Sequence, residues 1–199
     1  GKSTHVSTPH LGVDALYIAS QIVVAVQGLV TRRTSPTEPV IIGIGKLNAG
    51  TTYNAVAAFA EMEGTTRTIS QESRDRVRAQ VSETAQSIAA LYGGTAEVEW
   101  TDFAAALVND PQVCEEAARV VDELLGAGHV VTDRELSLSG DNFAEFELYK
   151  PGAYAYLGTG NPDLPHTMIT NHNGGFDVDE NALVTGAGLY VGYTVARLG

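Results

Sequence analysis

With 199 residues, 44% of them hydrophobic, the chain can bury one large or two small cores. Twelve basic against 24 acidic residues leave a formal charge of −12, which argues against tracking a polyanion, since such binding rests on Lys and Arg neutralising phosphates. A single cysteine, Cys114, excludes an internal disulfide framework and fits a reducing compartment.

The first ten residues, GKSTHVSTPH, read as the end of a strand, Lys2 to Val6, carrying His5 and followed by Pro9 and His10. From Val13 to Arg32 the apolar positions Leu16, Ala19, Ile22, Val23, Val26 and Val30 recur at helical spacing, and Arg32-Arg33 complement the negative end of the helix dipole. Pro39 to Ile44 is a short β-branched run, Lys46 to Thr52 a Gly/Asn turn region, and Ala55 to Thr68 a long strand with Glu61 and Glu63 facing out. Ser70 is placed to cap a second helix, striped by Val77, Val81, Ile88 and Leu91, that stops at Gly93-Gly94. Thr95 to Trp100 then alternates, with Glu97 and Glu99 opposite Ala96, Val98 and Trp100.

This order predicts an α/β (α+β) chain whose first domain, residues 1–108, is a ferredoxin-like β-α-β-β-α-β module with four antiparallel strands and two helices on one face. Asn109-Asp110-Pro111 marks the joint, because Asp can cap and Pro is tolerated at the first helical position. Residues 109–199 predict a helix from Pro111 to Leu125, a strand near Val130, a loop from Ser137 to Asn142, a strand from Ala153 to Leu157 and a final helix from about Glu180 to Leu198. Those elements supply too few strands for an ordinary sheet, so this second domain reads as an incomplete α/β layer. No uninterrupted apolar run approaches the about 18 residues that span a bilayer, and no secretion signal opens the chain, so a cytoplasmic protein without a membrane or nucleic-acid partner is expected.

Several residue types invite chemistry. His5 and His10 fit either plain loop histidines or side chains projecting past a sheet edge toward a site. Asn54 fits a turn residue or a ligand contact. His172, in a polar loop before the last helix, could ligate a metal, with His166 as its neighbouring competitor. Cys114-Glu115-Glu116 reads as a helix with its thiol on the buried side and its acids in water.

Taken in order, GKSTHVSTPH, the Gly50-Thr-Thr-Tyr-Asn54 strand entry running on to Gly64-Thr-Thr-Arg-Thr68, the LSGDNFAEF loop, YLGTGN and NHNGGFDVDENAL resemble the zinc-dependent aminoacylase, hippurate hydrolase and indole-acetyl-amino-acid hydrolase branch of the metal-dependent amidohydrolases, relatives of glutamate carboxypeptidase. The resemblance covers nearly the whole chain. It implies a ferredoxin-like lid used for homodimerisation, followed by the C-terminal part of a catalytic α/β domain resembling zinc peptidases.

In that branch two divalent ions, usually zinc with manganese or cobalt as alternatives, polarise an amide carbonyl and activate a water, while a glutamate serves as general base. Transferred to matching positions, the resemblance makes His5 a catalytic residue that stabilises the tetrahedral oxyanion in the partner subunit's site. Asn54 would bind the substrate carboxylate, Ser139 and Gly140 the substrate-contacting loop, and His172 a metal ion. The expected substrate is a small N-acyl amino acid or peptide-like amide.

Departures temper the transfer. Val56-Ala57-Ala58 replaces the usual Ile-Pro-Asp, Ser3-Thr4 the Gly-Gly before the lid His, and Asp141-Asn142-Phe143 the Glu-Asp-Phe. The branch's early Cys-x-His, its Glu-Glu pair and its second His have no counterpart among the 199 residues, so the chain reads as a C-terminal piece of an amidohydrolase, inactive alone. The competing expectations are a non-catalytic dimerisation or small-molecule-binding module derived from that branch, and a regulatory domain sensing an amino acid by analogy of fold.

Overall fold

Asp14 starts the first helix by accepting from the amides of Leu16 and Tyr17 at 3.0 and 3.2 Å, so α1 spans Ala15–Arg32. The computed structural model describes residues 1–199 and divides them into two units, Gly1–Ala106 with Leu138–Gly140, and Leu107–Ser137 with Asp141–Gly199.

In the first unit, α1 is followed by β1, Ile41–Ala49, and β2, Ala60–Arg67, which pair antiparallel, and by α2, Gln71–Leu91, capped by Ser70. The core lies between both helices and this pair. Ile18, Ile22, Val26 and Leu29 fall three or four residues apart, one stripe of α1, and meet Val40, Ile42, Val77, Ala85 and Ala89. By length and composition α1 could cross a membrane; its stripe is instead buried in this core, with Val26 fully enclosed.

Pairing differs from the expected four strands. Only β1 and β2 form a ladder. Lys2 to Val6 is held by isolated bridges, Lys2 to Val13 and His5 to Ala55, because the segment it meets, residues 54–57, bends through the turn before β2 begins. Thr95 to Trp100 keeps the predicted alternation, with Ala96 and Val98 packed on the core and Glu97 and Glu99 exposed, yet joins no ladder. Its anchoring is by side chains: the Trp100 indole donates to Ser82 Oγ at 3.1 Å, and the Arg78 guanidinium lies over the Trp100 ring. β1 also extends through Lys46 to Ala49, read from sequence as a turn, since a bulge between Ile44 and Lys46 shifts the register by one residue, lets pairing continue and sets Lys46 against Glu63 in a cross-strand ion pair. β2 starts at Ala60 rather than Ala55. Gly64 is required there, because a Cβ on it would sit 2.5 Å from the Gly43 carbonyl oxygen.

In the second unit, α3, Pro111–Leu125, opens with Asp110 accepting from the Val113 amide at 3.0 Å, as the Asp-Pro pair predicts. A single turn, α4, covers Ala144–Glu147, and the last helix, α5, covers Asn181–Leu198. α5 packs on α3 through small residues: a Cβ on Gly192 would lie 2.9 Å from Val120 and one on Gly188 3.1 Å from Leu124. Tyr193 and Arg197 both reach Glu116 across that packing, and burial, then the Glu116 carboxylate, holds the Tyr193 phenol above its ordinary value.

Neither strand expected in this unit forms. Near Val130, Gly126 and Gly128 take φ of 88° and 95°, which turns the chain into an exposed loop. Along Ala153 to Leu157, the Asn109 side-chain amide accepts from the Tyr154 N–H and donates to its carbonyl, at 2.8 and 3.0 Å, in place of a ladder.

Candidate functional site

Local hydrogen bonding shapes the His5 segment. The Val6 amide donates to the Asn54 carbonyl at 3.1 Å and the Val56 amide to the Thr4 carbonyl at 2.8 Å, so residues 4–6 run antiparallel to 54–56 with His5 opposite Ala55. The structure thereby brings together two of the predicted site residues, His5 and Asn54. His5 is exposed and Asn54 half-buried, with the Asn54 Oδ1 accepting from the Thr52 hydroxyl at 3.3 Å. Beyond His5 the chain folds back, the amide and hydroxyl of Thr8 both donating to the His5 carbonyl. His10 sits in the short 3-10 turn Pro9–Leu11, exposed.

Gly140 belongs to the same unit. A Cβ there would lie 2.9 Å from Arg67 Nη1 and 3.4 Å from the Phe103 ring, so only glycine leaves the guanidinium where it is. Sequence reasoning assigned Arg67 no role; its place at the end of β2, against the predicted Ser139-Gly140 loop, makes it a member of the candidate site.

In the second unit, Asp141 has a structural task that its departure from Glu-Asp-Phe left open. One carboxylate oxygen accepts from the Phe143 amide at 2.8 Å and the other from the Tyr154 hydroxyl at 3.2 Å. Burial, then that carboxylate, pushes the Tyr154 phenol up.

His172 stands exposed in the loop before α5 with a φ of 61°, a left-handed conformation costly for a side chain with a Cβ. That loop is closed at its base by Asn161, whose amide donates to Asp179 at 2.7 Å, while the Asn181 backbone and side chain donate to the other Asp179 oxygen. The Asn161 hydrogen bond, then the Asn181 backbone, holds the Asp179 carboxyl below its ordinary value. His166, the competitor, lies 3.8 Å from Asp177. No group of three His, Cys, Asp or Glu side chains gathers anywhere in the chain. A catalytic zinc takes about three protein ligands, so these 199 residues do not complete a metal centre.

The first unit thus sets two helices over an antiparallel pair, with a histidine-bearing segment bridged to the turn before the second strand. Residues 1–93 match the family model described as a peptidase dimerisation domain, that of the M20 peptidases, and over more than nine-tenths of its length the chain is similar to proteins named as carboxypeptidases, deacetylases and amidohydrolases. It is 33% identical over 188 residues to thermostable carboxypeptidase 1 of Saccharolobus solfataricus, covering 94% of this chain and 47% of that protein. Against the N-acetyl-L-cysteine deacetylase of Bacillus subtilis the identity is 33% over 184 residues, covering 92% and 42%. A Bacillus subtilis structure described as a dinuclear metal binding peptidase from the M20 family superposes with a TM-score of 0.75 at 27% identity, over 94% of this chain and 47% of that one. A structure from methicillin-resistant Staphylococcus aureus reaches a TM-score of 0.84 at 26% identity, over 98% and 49%. The chain spans about half the length of the curated relatives it matches.

Proposed function

We propose that this chain is the lid and the C-terminal part of the catalytic domain of a metal-dependent amidohydrolase that cleaves the amide bond of N-acyl amino acids or related small peptides. The observation that carries the reading is the match to a carboxypeptidase and to a deacetylase over more than nine-tenths of the chain. Both reactions expel an amine from an acyl carbon.

The chain's own residues divide the work between binding and charge stabilisation. His5, exposed on the lid, donates a hydrogen bond to the oxyanion of the tetrahedral intermediate in the partner subunit's site of a homodimer. Asn54, fixed beside it by the Val6 bond, receives the substrate carboxylate, and the Ser139-Gly140 loop beside Arg67 lines the same substrate. His172 serves as one metal ligand, the others coming from outside these residues. Zinc is the proposed ion, with manganese or cobalt as substitutes; when bound, two such ions supply carbonyl polarisation and an activated water. The half-buried free thiol of Cys114 suits a cytoplasmic setting.

The test is amino-acid release from N-acetyl-L-cysteine and hippurate by the polypeptide that unites this chain with the half of its relatives it does not match. Hydrolysis dependent on added zinc, manganese or cobalt is expected. Absence of release from either substrate and from a panel of N-acyl amino acids, with all three metals, would overturn the reading.

A further inference from the structure

We propose that Ser7 is a positioning residue that sets the tautomer of His5, leaving the ring proton on Nε2. The importance of this for catalysis rests on the reading of His5 as the oxyanion donor. The tautomer itself does not.

Two contacts converge on His5 Nδ1: the Ser7 hydroxyl at 2.7 Å and the Ser7 backbone N–H at 3.2 Å. A hydroxyl can donate or accept, but a backbone amide can only donate. Nδ1 must therefore present its lone pair, since a proton there would face the amide proton head-on. With Nδ1 the acceptor, the hydroxyl also donates to it, and the neutral ring carries its proton on Nε2.

The surrounding backbone holds this geometry from both sides. The Thr8 amide and hydroxyl take the His5 carbonyl at 2.9 and 3.2 Å, and the Thr8 hydroxyl meets that of Thr4 at 3.1 Å. Val6 is bonded to Asn54 and Thr4 to Val56. The imidazole thus turns on a fixed stem, with one nitrogen engaged by its own turn and the other left as a donor.

That polarity matters for an oxyanion. In the opposite tautomer Nε2 would offer a lone pair to a negative oxygen, and the interaction would change sign. Ser7→Ala removes the hydroxyl but keeps the amide, so the bias weakens rather than vanishes. A net hydrogen bond's worth of bias corresponds to a fall in kcat of about 3- to 10-fold.

The experiment is nitrogen-15 NMR of the labelled chain at a pH where imidazole is neutral, with His5 assigned by the signals lost in His5→Gln. Wild type should show Nε2 protonated and Nδ1 bare, Ser7→Ala a mixture of tautomers with the backbone amide spectrum otherwise retained, and Ser7→Thr the wild-type pattern. An Nδ1-protonated or evenly mixed wild type, or a Ser7→Ala ring spectrum identical to wild type, would overturn the proposal. In the hydrolytic polypeptide, Ser7→Ala should lower kcat with KM unchanged and Ser7→Thr should restore it. If His5→Ala leaves hydrolysis intact while the ring pattern is as stated, the oxyanion role falls and the positioning by Ser7 stands.

Discussion

The Val6 amide donates to the Asn54 carbonyl at 3.1 Å, so the two proposed site residues His5 and Asn54 are held together by main chain, not by their side chains. Their side chains are therefore separable from the fold. His5→Ala and Asn54→Ala should each leave the denaturation midpoint of the chain nearly unchanged, within about 0.5 kcal/mol. In the hydrolytic polypeptide, His5→Ala should lower kcat by about 100-fold or more, the loss typical of an oxyanion donor, with bound metal unchanged by elemental analysis. Loss of metal in that variant would remove His5 from the oxyanion role and place it among the ligands.

The same segment depends on Gly12. A Cβ there would stand 2.6 Å from the Thr4 side chain and 2.8 Å from the Lys2 carbonyl oxygen, where the paired Lys2 and Val13 leave the backbone little room to yield. Gly12→Ala should destabilise the chain by about 1–3 kcal/mol, the usual range for overpacking, read as a lower melting temperature. Faster hydrogen exchange at the Val6 and Val56 amides should accompany it.

In the lid core, Ile22 is 4% exposed and Val24, on the opposite side of α1, is 70% exposed. Ile22→Ala should cost about 2–5 kcal/mol, by lost transfer energy and the cavity left behind. Val24→Ala should stay within about 0.5 kcal/mol. Urea titration of the two variants side by side gives the contrast, and equal losses would show that α1 does not face the core as described.

What was legible in the sequence was local. Ser70 and Asp110 cap the helices they were placed to cap, because a cap is a contact within three or four residues; Asp14, read as lying inside the first helix, caps it instead. The alternation from Thr95 to Trp100 was legible for the same reason, whereas its failure to join a ladder was not: whether a segment finds a pairing backbone is decided by residues far along the chain. The site followed the same division. His5 and Asn54 were nominated through ordered motifs, but the contact of Arg67 with Gly140 joins residues 73 positions apart, and no periodicity announces it. Ser7 had a usable signal: a Ser two residues after a His, followed by Thr-Pro, is a turn composition that can return a hydroxyl to the ring.

The loop that carries His172 should respond to acid through Asp179. Its folded carboxyl is held below the ordinary value, first by the Asn161 hydrogen bond and then by the Asn181 backbone. A depressed folded value means that the unfolded chain binds the proton more readily. The stabilisation is therefore present above the unfolded pKa and is lost as pH falls through the folded one, with no contribution at lower pH. Protonation replaces an acceptor with a donor where Asn161 and Asn181 supply only donors, so the base of the loop should open. In Asp179→Asn the acid-induced step should disappear while stability at neutral pH drops, because one amide oxygen cannot serve donors on both sides. Amide hydrogen exchange across residues 161–181, followed from pH 7 downward in both proteins, measures this. Equal pH dependence in wild type and variant would show that a different carboxylate closes the loop.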